Sequence, residues 1–376
     1  MSVRSIKEVG DLRGKRVLLR ASLNVPIVEG KVRSDFRLNR TLMTMRYLHE
    51  AGAVTLVMGH LGRDPHESLR PVYEYLKELL PITFVLSPAE LPLKDVSVTE
   101  GSLFMLENLR SFPGEIENDA AFAQQLAAYA DIYVSDAFSD AHRAHASIVG
   151  VPARIPGYAG LLLWDEIEHL RTALAPKHPA LFILGGAKFE TKAPLIRKFL
   201  DTYDQVFVGG ALAHDLFKAR GWSIGRSISS DENIDVRDVL THPHLLLPQD
   251  VIVERQDGTS AVKSPEHIAD DEIILDAGPQ SVADLLRRAA TANFVLWNGP
   301  LGNYERGYKE QTESLARGLA QISADCVVGG GDTVASIAAL SLAEKYAFVS
   351  TGGGAMLEFL QSGTLVGIDA LDVTHS

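Results

Sequence analysis

The feature that most constrains this chain is the alternation, along its whole length, of short apolar runs with amphipathic stretches. In the first half the apolar runs are RVLLRASLNV (16–25), AVTLVMGH (53–60), ITFVL (82–86), SLFML (102–106) and IYVS (132–135). Between them, SLRPVYEYLKELL (68–80) sets Val72, Leu76, Leu79 and Leu80 on one helical face, with Pro71 near the start where a missing N–H costs least. NDAAFAQQLAAYA (118–130) spaces Phe122, Leu126 and Tyr129 at i, i+4 and i+7. Strands this apolar, separated by helices of this length, predict parallel sheets covered on both faces. In the second half five runs each end in glycine or a turn: LFILGGAK (181–188), VFVGGALA (206–213), FVLWNGPLG (294–302), CVVGGGDT (326–333) and FVSTGGGA (348–355). Each is followed by a helical pattern. LLLWDEIEHLRTAL (161–174), between the halves, reads as one long helix with Leu163, Ile167 and Leu170 on a common face.

The expected fold is therefore α/β, with two doubly wound, Rossmann-like parallel-sheet lobes joined by that helix and a hinge. A chain of 376 residues exceeds what one core usually serves. The expected domains are 1–160 together with the tail 362–376, and 161–361, the latter opening with the interdomain helix 161–174. A formal net charge of −12 disfavours nucleic acid or an anionic membrane as the main partner. The one cysteine, Cys326, excludes an internal disulfide and a cysteine-based zinc cluster. The N-terminus lacks the apolar core of a signal peptide, and no apolar run is long enough to span a bilayer. The expectation is a cytoplasmic monomer acting on small molecules.

Function in such sheets sits outside the carboxyl ends of the strands. The first half puts cations and amides there: Asn24, His60 and Arg63 in HLGR, Arg110 in ENLR and Arg143 in SDAFSDAHRAHAS (135–147), with Arg37 expected in the loop after Asn24. One such arginine is an ordinary solvated group. Several on one edge repel each other unless an anion lies between them, and the guanidinium fork suits phosphate and carboxylate oxygens. A metal pair at His142 and His145 fits poorly, since only two residues separate them and no thiolate is near. That leaves an acid–base pair or an anion grip. The second half offers backbone N–H groups at glycine turns that open helices, which suits phosphate. None has Walker A or GxGxxG spacing. Five glycine-bearing strand ends, with Lys188, Lys192 and Asp332 among them, point to a nucleotide phosphate chain; Asp332 suits Mg²⁺, which takes few protein carboxylates. From these residues alone the chain is a two-lobed α/β enzyme of phosphorylated metabolites, with a two-domain dinucleotide enzyme as the other candidate.

LNVP (23–26), HLGR (60–63), ENLR (107–110), DAF..AHRAH (136–145), LGGAK...K (184–192), WNGPLG..E (297–305), GGGDT (329–333) and STGGGA.LE (350–358) occur in this order. In this set, order and spacing the chain resembles the phosphoglycerate kinases over nearly its whole length. The resemblance implies phosphoryl transfer between 1,3-bisphosphoglycerate and MgADP, giving 3-phosphoglycerate and MgATP, as in glycolysis. It implies a substrate site at Ser22, Leu23, Asn24, Arg37, His60, Leu61, Gly62, Arg63, Arg110 and Arg143. It implies a nucleotide site at Gly186, Lys188, Lys192, Gly210, Ile274, Asn298, Glu305, Gly330, Gly331, Asp332 and Thr333, with Asp332 on the magnesium and Glu305 on the ribose. Arg37, Lys192, Gly330 and Gly353 match the family's catalytic positions. The transferring nucleophile would be a carboxylate, already ionised at neutral pH, so no base is required and the histidine loop is read as an anion grip.

Some positions depart from the family pattern. Ser22 stands where an aspartate is usual, Thr191 replaces another aspartate, Ile274 a glycine of the adenine pocket, and AFSDAHRAH adds Asp140 beside the phosphate grip. These departures bear on acid and nucleotide preference, and the alternative is a kinase for a different small acyl phosphate.

Overall fold

In a computed structural model, residues 3–87, 99–230 and 235–371 are described. The chain divides into two compact units, one comprising residues up to Glu168 and from Thr364 onward, the other His169–Gly363. The division falls inside the helix Leu161–Leu174. Of the expected tail 362–376, residues 372–376 lie outside the described set.

The first unit is built on six parallel strands, in spatial order Ile82–Val85, Leu103–Leu106, Val54–Met58, Arg16–Ala21, Ile132–Asp136 and Gly157–Ala159. The middle strands are buried at nearly every position, which is why they read as continuous apolar runs rather than as alternation. Leu19, Leu23, Leu38, Met45, Val57, Leu61 and Val72 share one core cluster. The helix expected over 68–80 is shorter, Arg70–Leu76. Pro81 keeps Leu80 out of the α region, so the helix cannot run on to the end of the expected stretch. Leu79 is consequently 40% exposed instead of facing the core. Arg37 lies in the first turn of the helix Phe36–Glu50, not in a loop.

The second unit repeats the plan: Leu245–Leu246, Gln205–Val208, Ala180–Leu184, Phe294–Asn298, Asp325–Gly329 and Phe348–Val349 form a second six-stranded parallel sheet. Phe182, Phe199 and Tyr203 pack ring to ring beneath it, and the Tyr203 hydroxyl donates to the Ala173 carbonyl at 2.7 Å. The alternation did not announce a three-stranded antiparallel sheet, Ser260–Lys263, Val251–Glu254 and Ile273–Ala277, which carries Ile274. Ala213, Phe217, Val251, Val253, Ile268 and Ile274 pack together under it.

Candidate active site

In the first unit the expected cations follow the carboxyl ends of four neighbouring strands. Ser22–Asn24 follow Arg16–Ala21, His60–Arg63 follow Val54–Met58, Arg110 follows Leu103–Leu106, and Asp140–Arg143 follow Ile132–Asp136. Parallel strands bring these to one sheet edge. The HLGR turn is then pinned from several sides. Gly62 N–H donates to Asn24 Oδ1 at 3.1 Å, the Gly62 carbonyl accepts from Arg110 Nη1, and Arg63 N–H donates to Glu67 Oε1 at 3.3 Å. Gly62 has φ +62°, a left-handed conformation that favours glycine, and a Cβ there would also push the Glu67 carboxylate aside. Arg37 Nη1 donates to the Asn24 carbonyl at 2.5 Å. Burial lowers the Arg37 pKa, and Asp140 and Glu166 oppose the shift.

Two of the implied substrate residues have buried side chains. Leu23 and Leu61 are core side chains, 0% and 4% exposed. The Leu61 N–H and carbonyl are both engaged by the Asn108 amide, at 3.3 and 3.0 Å. Ser22 is also wholly buried, its Oγ 3.1 Å from Ser139 Oγ.

Beneath the patch lies a polar layer the resemblance did not supply. Arg20, in the middle of an apolar run, is 0% exposed and reaches Ser147, His60 and Asp140. Burial pushes the Asp140 carboxyl up, but Arg20, His60, Arg143 and Arg37 more than offset this and hold it below the usual range. Burial drives His60 down to about 3 and His145 to about 4, with neighbouring arginines adding to both shifts. Neither ring is a base at neutral pH. The basic edge presents guanidinium groups over a hydrogen-bonded floor in which Arg20 pairs with Asp140 and the two histidine rings are uncharged.

In the second unit the glycine turns again follow neighbouring strands, and their glycines have two distinct uses. A Cβ on Gly185 would meet the Pro300 carbonyl at 2.1 Å, and one on Gly210 the Gly186 N at 2.8 Å, so these loops are glycine because they pack backbone on backbone. A Cβ on Gly331, Gly353 or Gly354 would meet nothing within 4 Å. The space there is open. Gly330 (φ +98°) and Gly353 (φ +50°) each precede a helix, Gly331–Ala339 and Gly354–Ser362, whose N-terminal end suits an anion, although Ala355 N–H already donates to the Gly352 carbonyl at 3.0 Å. A cavity of about 490 Å³ lies in this unit, lined by Gly186, Gly210, Ile274, Asp276, Glu305 and Asp332 among others.

Lys192 Nζ donates to the Gly185 carbonyl at 3.1 Å, and burial lowers its pKa to about 8. Lys188 is exposed and holds a left-handed φ of +65° at the start of the helix Phe189–Leu200. Asn298 is buried, its amide donating to Met356 Sδ at 3.4 Å. Asp276, which the sequence gave no reason to single out, is pushed up to about 7 by burial at the cavity wall.

Asp332 is exposed in the first turn of its helix, beside Thr333, whose buried hydroxyl has no hydrogen-bond partner. Among the described residues no group of three or more histidine, cysteine or carboxylate side chains could hold a metal. One carboxylate suits an ion whose other ligands are phosphate oxygens and water, so these residues fit magnesium arriving with a nucleotide. Among the described residues no helix is long and apolar enough to cross a membrane.

The comparisons with known proteins bear directly on this arrangement. A family model described as phosphoglycerate kinase matches residues 6–363. The chain belongs to the phosphoglycerate kinase family. It is 40% identical over 388 residues to the phosphoglycerate kinase of Rubrobacter xylanophilus, covering 99% of this chain and 98% of that one. It is 37% identical to the enzyme of Francisella philomiragia, again over 99% and 98%. The solved phosphoglycerate kinase of Coxiella burnetii superimposes with a TM-score of 0.85 at 36% identity, over 98% of each chain. Within this family the two parallel-sheet units described above are the shared architecture, at the same TM-score level in a Pyrococcus horikoshii relative only 27% identical (0.84).

Proposed function

We propose that the chain catalyses reversible phosphoryl transfer between 1,3-bisphosphoglycerate and MgADP, giving 3-phosphoglycerate and MgATP. Family membership across residues 6–363 carries this reading, and the full set of cations on one sheet edge supports it. Arg63, Arg110 and Arg143 are the groups that would grip the phosphate of the glycerate. Asn24 would contact its backbone, and Arg37 its reacting end. Lys192 and the N–H groups at Gly330 and Gly353 would carry the charge of the transferring phosphoryl group. Glu305 would take the ribose, and Lys188, Asn298 and Thr333 the remaining phosphates. Magnesium, held by Asp332, would neutralise phosphate charge.

The chemistry asks for little else. The nucleophile in the reverse direction is an ionised carboxylate, so no proton is removed, which agrees with histidines that stay neutral. Phosphoryl transfer depends on positioning and on charge stabilisation in a dry site. A hinge at the helix Leu161–Leu174 belongs to the proposal. Substrates held by different units have to meet, and closure would keep water from the acyl phosphate.

A coupled assay of ATP-dependent phosphorylation of 3-phosphoglycerate by purified protein tests the reading. Magnesium-dependent turnover is expected, strongly preferred over other small carboxylates. Faster turnover of another carboxylate would reassign the substrate, and no turnover on any of them would reduce the chain to a binding protein.

A further inference from the structure

Asp140 is a carboxylate set among cations. It is 4% exposed, and its Oδ2 lies 3.4 Å from Nη2 of Arg20, which is wholly buried. Burial pushes its carboxyl up, but Arg20, His60, Arg143 and Arg37 outweigh burial and hold it low, so it is ionised at neutral pH. The rest of Arg20 is held by uncharged groups: Nε donates to Ser147 Oγ at 3.0 Å and Nη1 to the Ala21 carbonyl at 2.7 Å. A second buried carboxyl, Glu115, also acts on Arg20, but burial pushes its pKa up, and its oxygens accept from Ser147 N–H and Oγ at 2.9 and 2.5 Å. Asp140 is therefore the one direct ion-pair partner of Arg20 among the described residues. Position 22 abuts the same turn. Ser22 Oγ lies 3.1 Å from the Oγ of Ser139, the residue before Asp140 in the turn Phe138–Asp140. Side chains two apart along a strand share a face, so an aspartate at 22 would stand on the side of the sheet from which Arg20 projects. The family pattern has that aspartate; here position 22 is serine and the added carboxylate is Asp140. One negative charge is missing and one is added, beside each other on the same cationic edge.

We propose that Asp140 is the resident counter-ion of this basic edge and takes the place of an aspartate at 22: it pairs with Arg20 and lowers the edge's affinity for bare anions. Converging guanidinium groups repel each other unless an anion lies between them, and Asp140 is an anion that belongs to the chain. It is a positioning residue, acting through Arg20 and through its field rather than by touching substrate. With it in place the empty edge carries one positive charge less, and a bound anion meets a fixed opposing charge. The effect on affinity rests on this edge being the anion site of the proposed reaction; the ion pair and its exchange between positions 22 and 140 do not.

Four full-length proteins test this: the wild type, Asp140→Asn, Ser22→Asp and the double variant, each followed by urea unfolding and by calorimetric titration with inorganic phosphate. Asp140→Asn keeps the shape and drops the charge. It should bind phosphate about tenfold or more tightly while its urea midpoint falls. Ser22→Asp sets two carboxylates against one arginine, and should lower the midpoint too while weakening phosphate. The double variant restores a single charge. Its midpoint should exceed that of both single variants, and its phosphate affinity should return to within about threefold of the wild type. A residue that only filled space would lower the midpoint and leave phosphate binding unchanged or weaker, and either result in Asp140→Asn overturns the counter-ion. A double variant that is unfolded, or no more stable than the weaker single variant, overturns the exchange between the two positions. If Asp140→Asn alone does not fold, the double variant decides: folded, with near wild-type phosphate affinity, it supports the proposal. Absence of phosphate binding in all four, with the stability pattern intact, overturns the anion-site reading and the effect on affinity, while the ion pair and its exchange stand.

Discussion

Lys192 shows how one buried contact sets a working pH. Its ammonium is partly desolvated with only the Gly185 carbonyl at 3.1 Å in compensation, so its pKa falls to about 8. A lowered lysine is charged below that value and neutral above it. If its charge helps hold the transferring phosphoryl group, kcat/KM should fall as pH rises through about 8. Lys192→Arg, which stays charged, should lose rate but also lose that descending limb. A limb that survives in the arginine variant would assign it to another group. At this scale the sequence was legible where chemistry advertised itself. Arg63, Arg110 and Arg143 follow the ends of apolar strands, where a charged side chain stands out. The side chains of Leu23 and Leu61 are held in the core, so any contact they make to a ligand falls to their backbone. Arg20 could have been found: a charge inside RVLLRAS, amid residues buried on both faces, demands partners. Asp276 could not, because its burial depends on loops far along the chain.

The helix Leu161–Leu174 is anchored at its start by a strand, not by its own sequence. Asp136 Oδ1 accepts from the N–H groups of Leu162 and Leu163 at 2.9 and 3.2 Å, and Leu161 N–H donates to Thr44 Oγ1 at 3.0 Å. A Cβ on Gly160 would lie 2.2 Å from that carboxyl, which closes the corner to any larger residue. Burial raises the Asp136 pKa to about 8. A carboxyl raised above its unfolded value stabilises the fold in its neutral form, fully so below about pH 4, and that stability drains away as pH climbs through about 8. Asp136→Asn keeps the accepting oxygen and removes the titration. Its stability, followed by urea unfolding, should therefore decline less between about pH 5 and pH 9 than the wild type's. Asp136→Ala, which removes the cap, should lose about 1 kcal/mol or more at neutral pH. Parallel slopes for Asn and wild type would show the carboxyl to be ionised throughout. Among elements, the long buried strands and this helix were legible from pattern alone. The antiparallel sheet was not. Ser260–Lys263 is half exposed and Val251–Glu254 is only four residues long, so neither rises above its surroundings.

The segment from Thr364 onward groups with the first unit. Gly367 N–H donates to the Ala141 carbonyl at 2.8 Å, in the loop that carries Arg143, and Ile368 is fully buried. A Cβ on Gly157 would meet Leu371 at 2.7 Å. A chain ending at Gly363 should lose the upper thermal cooperativity of this unit and weaken for 3-phosphoglycerate by about tenfold or more, while still binding MgATP. Calorimetry with each ligand separates these results. Equal losses for both would mean that the second unit also depends on the tail. The division at Glu168 and His169 was not legible, because nothing in LLLWDEIEHLRTAL marks a boundary inside a continuous helix.

That returning tail also has a consequence for synthesis. The residues from His169 to Gly363 form a continuous stretch that can complete its own sheet as it leaves the ribosome. The unit begun first cannot seat Gly367 and Leu371 until those residues have themselves been made. At about 5–20 residues per second, the intervening chain takes on the order of ten to forty seconds to make. For that interval the earliest-made sheet waits with the pocket for its last helix unfilled, and the half of the molecule made second is finished first.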